Sequence, residues 1–487
     1  MTKYLIEQNN ECYSVKNNYY RLGSPEDLNQ LSNWYIKYGS SNISELSITQ
    51  DFKEMPMIKK SEVNNIWETE FEIDTNDIDD NIELIVDRYN RVIKYKCEPY
   101  KIYDKIDEKF NLRKLIEPYK EYGVEWYRNS DTVNRLGDAM GLTAITGGQN
   151  DFSNLYPWNS MKRCNLSDDG EVLAYYGDSN YKTDGSNGQV MVEIPKFWYK
   201  VVNDEVNNKI QFWICDSELE GYELHPAFYR ERTKLCDDLT GKAIKVDKRY
   251  VGVYLGCIED DKLCSKSGVS PKASVTMSEG RDYAKARGNG WGIEDYNLFY
   301  AIQLLYLVEY ADFDSQSKIG RGYVSMSSSS KTKTGGTDSL GNESGSENNN
   351  GESGKNQVSY RGIEDIWGNY YYWIDGFYCD NNRNILIGNS GFNDSGTKYE
   401  YIYRTVLNSN IGNYIVDIFG DKRVGFVIKT SGDNSNYKIP DYAYIANNKI
   451  PYAGGSSWAG NEAGIFSFRC SNAFSDKGNE IVARCSF

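Results

Sequence analysis

Histidine and closely paired cysteines, on which much nucleophilic and zinc chemistry is built, are scarce in this sequence. One histidine is present, His225, within Glu223-Leu224-His225-Pro226-Ala227-Phe228. A Ser-His-Asp or Cys-His arrangement would have to be built on it, and a histidine just before proline reads first as a structural or capping residue. The 10 cysteines, at 12, 97, 164, 215, 236, 257, 264, 379, 470 and 485, include no CxxC pair. Without a close pair to start a ligand set no zinc site is expected, and the thiols read as reduced and mostly buried. The adjacent acids Glu364 and Asp365 could join a calcium site of oxygen ligands, or simply occupy a solvated turn. No cofactor is expected.

Charge narrows the function classes further. With 70 acidic against 55 basic residues the net charge is -15, which argues against a nucleic-acid groove and against binding to an anionic membrane. No stretch is as long and apolar as a membrane span. The segment Met1-Thr2-Lys3-Tyr4-Leu5-Ile6-Glu7-Gln8-Asn9-Asn10 lacks the apolar run of a secretory signal, so synthesis as a cytoplasmic product is expected, with release by lysis or within a particle.

Recognition chemistry is better represented than catalytic chemistry. The chain carries 41 tyrosines, and amphipathic rings suit either an exposed binding surface or tyrosine-rich strands. Toward the C-terminus, small polar residues alternate with aromatics: Tyr452, Ser456, Ser457, Trp458, Asn461, Phe468, Arg469, Ser471 and Asn472. Rigid rings supply contact area while Ser and Asn adapt their hydrogen bonds, so these nine are the candidate ligand-binding residues. Phe466 and Phe468 also alternate as a buried strand face would. Further candidate loops are Ser471 to Ala473 and Asn381 to Asn393.

The elements that must position these residues read as an α+β chain. Residues 1–115 form a first module with strands at Tyr4 to Ile6, Tyr13 to Val15, Trp67 to Ile73 and Ile82 to Val86, and a helix beginning at Ser24-Pro25. The charged stretch from Tyr103 to Pro118 reads as helical, and residues 116–123 as a linker. From 124 to 487 short strands and Gly/Asn/Asp turns dominate, with an apolar strand over Gln189 to Tyr199 and helices at Ser278 to Ala286 and Tyr296 to Tyr310. Residues 325–357, with Ser327 to Ser330 and Glu347-Asn348-Asn349-Asn350-Gly351, hold almost no large apolar residue and read as a long exposed loop.

Gly362-Ile363-Glu364-Asp365-Ile366-Trp367-Gly368-Asn369-Tyr370-Tyr371-Tyr372-Trp373, followed by Ala453-Gly454-Gly455-Ser456-Ser457-Trp458 and Ala463-Gly464-Ile465-Phe466, resembles the signature of the C-type-lectin-like fold. It is similar to the versions in formylglycine-generating enzymes and in phage tail proteins whose variable binding face lies at the C-terminus. Upstream, Gly188 to Lys196, His225 to Phe228 and Gln316 to Tyr323 resemble tail-fibre proteins of phages of Gram-positive bacteria, and residues 1–115 are loosely similar to tail-attachment regions of clostridial phages. The resemblance implies a small N-terminal attachment domain followed by a C-terminal lectin-like domain. It further implies a tail fibre or receptor-binding protein of the virion, made in the host and acting extracellularly. Its expected partners are a bacterial surface protein or cell-wall glycan, tail and baseplate proteins, and copies of itself in a trimer.

Two other classes stand beside this one. A tail-borne enzyme would be either a depolymerase, which needs a positioned carboxylate pair, or an oxidase of the formylglycine-generating type, which needs closely spaced cysteines. Cys470 and Cys485 stand apart, without that pattern. A purely structural baseplate piece would present an unremarkable C-terminal surface.

Overall fold

The computed structural model describes residues 120–128, 130, 132–230, 244–349, 351–396, 403–406, 411–432 and 439–487, together with ten strands between residues 3 and 115. The chain separates into two compact units, Met1–Tyr119 and Lys120–Phe487.

In the first unit the described elements are antiparallel strands. Lys3–Gln8 lies between Glu11–Ser14 and Asn111–Leu115, and Tyr35–Ser40 pairs with Ile82–Arg88, which pairs with Arg91–Cys97. Within the stretch from Tyr103 to Pro118 expected to be helical, Asn111–Leu115 is a strand, registered Leu5↔Arg113, and the remainder lies outside the described residues. Leu112 and Leu115 stand at helical spacing, but pairing with a strand a hundred residues earlier overrides that local preference. The helix expected from Ser24 lies outside the described residues.

The second unit also corrects the expected fold class. The protein is built mostly of β-sheets and is not an α+β chain. Three α-helices occur among the described residues: α1 at Met277–Lys285, α2 at Tyr296–Tyr310 and α3 at Ser315–Ile319. α1 begins one residue earlier than expected and is capped by Thr276 rather than Ser278. Thr276 Oγ1 accepts from the Glu279 amide and Glu279 reaches back to the Thr276 amide, so two orphan donors are satisfied at once. All of α2 is buried, as an almost unbroken apolar run requires.

Sheets surround α2. One runs Val133–Gly137, Glu121–Tyr127, Lys209–Cys215, Trp198–Asp204, Glu223–Leu224; a second runs Val172–Tyr175, Lys162–Leu166, Gln189–Pro195, Lys248–Gly252, Cys485–Ser486, Gly292–Ile293. The apolar stretch from 189 to 199 thus divides between two sheets, breaking at Pro195. The third sheet positions the candidate site. Its order is Ile428–Gly432, Ile411–Ile418, Ile439–Ile445, Phe468–Asn472, Ile450–Ala453, Tyr371–Trp373, Ile481–Val482. Its inner face meets α2, with the Phe468 ring 6.1 Å from Phe299 and 5.7 Å from Tyr296.

Residues 325–357 are not a bare exposed loop. Thr334, Thr337, Ser344, Ser346 and Gln357 are buried, and Gly345–Ser346 pairs with Val358–Tyr360. What holds this apolar-poor segment is the acid pair. Glu364 accepts from the Gly335 amide at 2.7 Å, the Thr337 amide at 2.8 Å and Thr337 Oγ1 at 2.8 Å. Asp365 accepts from Gln357 Nε2 at 2.6 Å and Asn369 Nδ2 at 3.0 Å. Hydrogen bonding does here what apolar burial does elsewhere.

A second buried acid yields a pH prediction. Glu294 lies 3.7 Å from Arg484, and its carboxyl is pushed up to about 7, chiefly by burial, against the pull of Arg484. The unfolded chain ionises this group near the ordinary value of 4.5, so the native state holds the proton more tightly. Stability from this group is therefore present at low pH and is lost as pH rises through the folded value. Glu294→Gln removes the dependence. Relative to the parent, the variant should gain about 2 to 3 kcal/mol between pH 5 and pH 8, measured by denaturant unfolding at both values. A difference that stays constant with pH would refute the assignment.

Candidate functional site

Cross-strand register decides which side chains share a face of the third sheet. Tyr414 is opposite Tyr442, Tyr444 is opposite Arg469, Arg469 is opposite Tyr452, and Tyr452 is opposite Trp373. Partners in register, and residues two apart such as Tyr442 and Tyr444, point to the same side, so these residues share one face in two adjacent rows across the strands. The alternation in Ile439–Ile445 makes the sidedness plain: Ile439, Asp441, Ala443 and Ile445 are buried, while Pro440, Tyr442 and Tyr444 are half-buried.

Arg469 is the centre of the face. Its guanidinium carbon lies 4.2 Å from the Tyr442 ring centroid and 5.3 Å from that of Tyr371, and it pairs with Glu462. Tyr414 packs edge-on to Tyr442 at 6.1 Å, and Tyr371 edge-on to Tyr452 at 4.9 Å. The Tyr452 hydroxyl and Ser471 Oγ share a hydrogen bond of 2.9 Å. At one end Tyr371 and Trp373 pass under the chain into a core with Ile450 and Ile481; at the other, Tyr414, Tyr442, Tyr444, Arg469, Tyr452 and Ser471 remain half-exposed. Planar rings around a cation held in place by Glu462 give a preorganised surface able to stack on rings and donate hydrogen bonds.

Trp458 flanks this face. It is 48% exposed, and its Nε1 donates to Glu480 Oε2 at 2.7 Å. The main-chain carbonyl of Glu480 in turn accepts from the Tyr371 amide at 3.0 Å, which ties the tryptophan loop to the edge of the sheet.

The nine sequence candidates therefore separate. Tyr452, Arg469 and Ser471 share the exposed face; Trp458 and Asn461 are exposed on the neighbouring loop, with Asn461 accepting from Arg321 at 3.1 Å; Asn472 is half-buried at its strand end. Ser456, Ser457 and Phe468 are corrections, because all are buried. Ser457 is enclosed by polar chain, its Oγ accepting from Lys331 Nζ at 3.0 Å and donating to the Ser327 carbonyl at 3.0 Å. Phe468 packs on α2 because its strand turns alternate residues inward. Sequence reading missed Tyr414, Tyr442 and Tyr444, although the two-residue period of Ile439-Pro440-Asp441-Tyr442-Ala443-Tyr444-Ile445 carries the signal for two of them.

No protein-family model and no curated protein matches the chain. Among solved structures it is similar to a Major Tropism Determinant M1 variant. The identity is 11% and the TM-score 0.25, over 83% of this chain and 80% of that one.

The remaining chemical candidates take structural parts. His225 is buried, its Nδ1 accepts from the Ala227 amide at 3.2 Å to cap the turn Pro226–Phe228, and burial pushes the imidazole well below its ordinary range. Glu364 and Asp365 point their oxygens at N–H and O–H donors, a donor set opposite to what a cation needs, and no cluster of metal-ligating side chains occurs among the described residues. Cys470 and Cys485 are both buried but in separate cores, and Cys470 Sγ donates to the Lys449 carbonyl at 3.0 Å. Among the described residues no helix is long and apolar enough to cross a membrane.

Proposed function

We propose that this protein is a receptor-binding fibre of a phage or phage-tail-like particle and that the half-exposed face around Arg469 contacts the host. In this reading the unit of residues 1–119 attaches the protein to tail or baseplate proteins, and the second unit meets a surface protein or cell-wall glycan. The observation that carries it is the face Tyr414, Tyr442, Arg469, Tyr452 with Trp458 beside it. Partly exposed aromatics and an arginine in one preorganised patch, beside an exposed tryptophan, are the residue types enriched at binding hot spots. The motif resemblance to tail fibres of phages of Gram-positive bacteria supports the same class. The burial of Cys470 and Cys485 in separate cores favours binding over the oxidase alternative.

The test is binding of the full-length protein to intact cells across a strain panel. Arg469→Ala and Trp458→Ala should each weaken binding to a susceptible strain by about 2 kcal/mol, roughly thirtyfold. Trp458→Ala should melt like the parent, because its ring is half in water. Parent-like binding by both variants would remove the face from recognition.

A further inference from the structure

The segment Cys257-Ile258-Glu259-Asp260-Asp261-Lys262-Leu263-Cys264 folds into a hairpin of the strands Cys257–Glu259 and Lys262–Cys264. Asp260 and Asp261 both take positive φ, at 50° and 57°, the backbone of the tight two-residue turn whose twist suits paired strands. The turn fixes the register, and the register sets Cys257 directly opposite Cys264. Opposed residues of an antiparallel pair have Cα atoms about 4.5 to 5.5 Å apart, within the range of about 4.4 to 6.8 Å that a disulfide spans.

The surroundings of Cys264 single it out among the buried thiols. Arg287, just past α1, donates from Nη2 to Cys264 Sγ at 3.0 Å and from Nε to the Leu263 carbonyl at 2.9 Å, while its Nη1 pairs with Asp168 at 2.5 Å. A buried cation is thereby aimed at one sulfur and anchored to that sulfur's own strand. The hydrogen bond from Cys257, with Arg287 added, holds Cys264 below the ordinary thiol range against the opposing effect of burial, and the same hydrogen bond pushes Cys257 above it. Cys164, Cys215, Cys379, Cys470 and Cys485 are all raised, chiefly by burial. Those five are also 0% exposed, whereas Cys257 and Cys264 keep a little surface, at 7% and 4%. A thiolate beside a cation, with a second thiol across from it, is the arrangement of an attacking and a resolving sulfur.

We propose that Cys257 and Cys264 form an oxidation site, at which a small-molecule disulfide is reduced and a disulfide closes across the hairpin. The Cys264 thiolate attacks one sulfur of the reagent, forms a mixed disulfide and expels one thiolate. Cys257 then gives its proton to solvent, attacks the Cys264 sulfur and expels the second. Each cysteine sulfur is oxidised by one electron, and both electrons leave with the reagent, whose two halves take up protons and depart as thiols. In a protein that leaves a reducing cytoplasm, as proposed above, this step follows release. The exchange itself does not depend on the face around Arg469.

The test is to incubate reduced full-length protein with oxidised glutathione, block the remaining thiols with N-ethylmaleimide, and digest with trypsin without reductant. Trypsin cuts after Lys262, between the two cysteines, so the cross-link joins peptide 250–262 to peptide 263–266 and is read directly by mass. The joined pair should be the main form of both peptides, and reductant should separate it. Cys257→Ser, which keeps the attacking sulfur and removes the resolving one, should stop at a glutathione adduct on peptide 263–266. Cys485→Ser should cross-link like the parent. The proposal fails if both parent peptides carry N-ethylmaleimide after the incubation, or if Cys264 is found joined to peptide 485–487 instead. The parent digest decides alone should a serine variant fold poorly. Cell binding enters neither readout, so failure here leaves the recognition face standing.

Discussion

Replacing Arg484 with methionine should destabilise the second unit by about 3 to 5 kcal/mol, the scale for breaking a buried charged network by removing one partner. The side chain is fully buried and works as a four-way clamp. Its Nη1 donates to the carbonyls of Gly252 at 2.9 Å and Val253 at 3.0 Å, and its Nη2 to those of Glu364 at 2.9 Å and Asp365 at 2.8 Å. Above the guanidinium lies the Tyr372 ring, at 4.9 Å. Methionine would fill much of the volume yet leave those carbonyls in a dry interior without donors, which is where most of the loss arises. At about 2 cal/mol/K of unfolding entropy per residue, a unit this long should melt about 5 °C lower. Lysine should not rescue it, because one ammonium cannot reach four acceptors in fork geometry. Calorimetric melting decides the matter, and parent-like melting of Arg484→Met would mean the strands do not depend on the clamp.

Trp373→Ala should be comparably damaging, at about 3 to 5 kcal/mol. Trp373 is fully buried, its Nε1 donates to the Val275 carbonyl at 3.0 Å, and its ring meets Tyr452 edge-on at 6.1 Å. Alanine there opens a cavity beneath the recognition face and orphans a buried carbonyl. Binding should fall as well, but only in step with melting. That pattern separates the core tryptophan from Trp458, whose replacement should reduce binding while the melting temperature stays put. If Trp373→Ala melted normally, the sheet would be packed in some other way than described here.

The Trp373 and Trp458 contrast also marks how far sequence reading reaches. A tryptophan within the run Tyr370-Tyr371-Tyr372-Trp373-Ile374 reads as core, and it is core; a tryptophan among Ser and Gly reads as exposed, and it is. The unbroken apolar run of α2 likewise announces a buried helix, and the alternation of Ile82 to Val86 announces a strand. These signals are local, because the side-chain period of an element is a property of its own backbone. Burial of Ser456 and Ser457 had no such signal, since nothing nearby in the chain says that Lys331 and Ser327 close over Ser457.

What the amino-acid order determined by itself was thus the pattern within each segment: which stretches are buried and which alternate. Only the tertiary structure decided the partners. It turned a charged stretch into the strand Asn111–Leu115, changed an expected α+β chain into a mostly β one, and used Glu364 and Asp365 to hold an apolar-poor segment. It also set Tyr414, Tyr442, Arg469 and Tyr452 on one side of one sheet. The physical reason is that strand register is fixed by pairing between distant segments and by which face meets the core. A period of two tells that side chains alternate, and the packing against α2 chooses the side that stays in water.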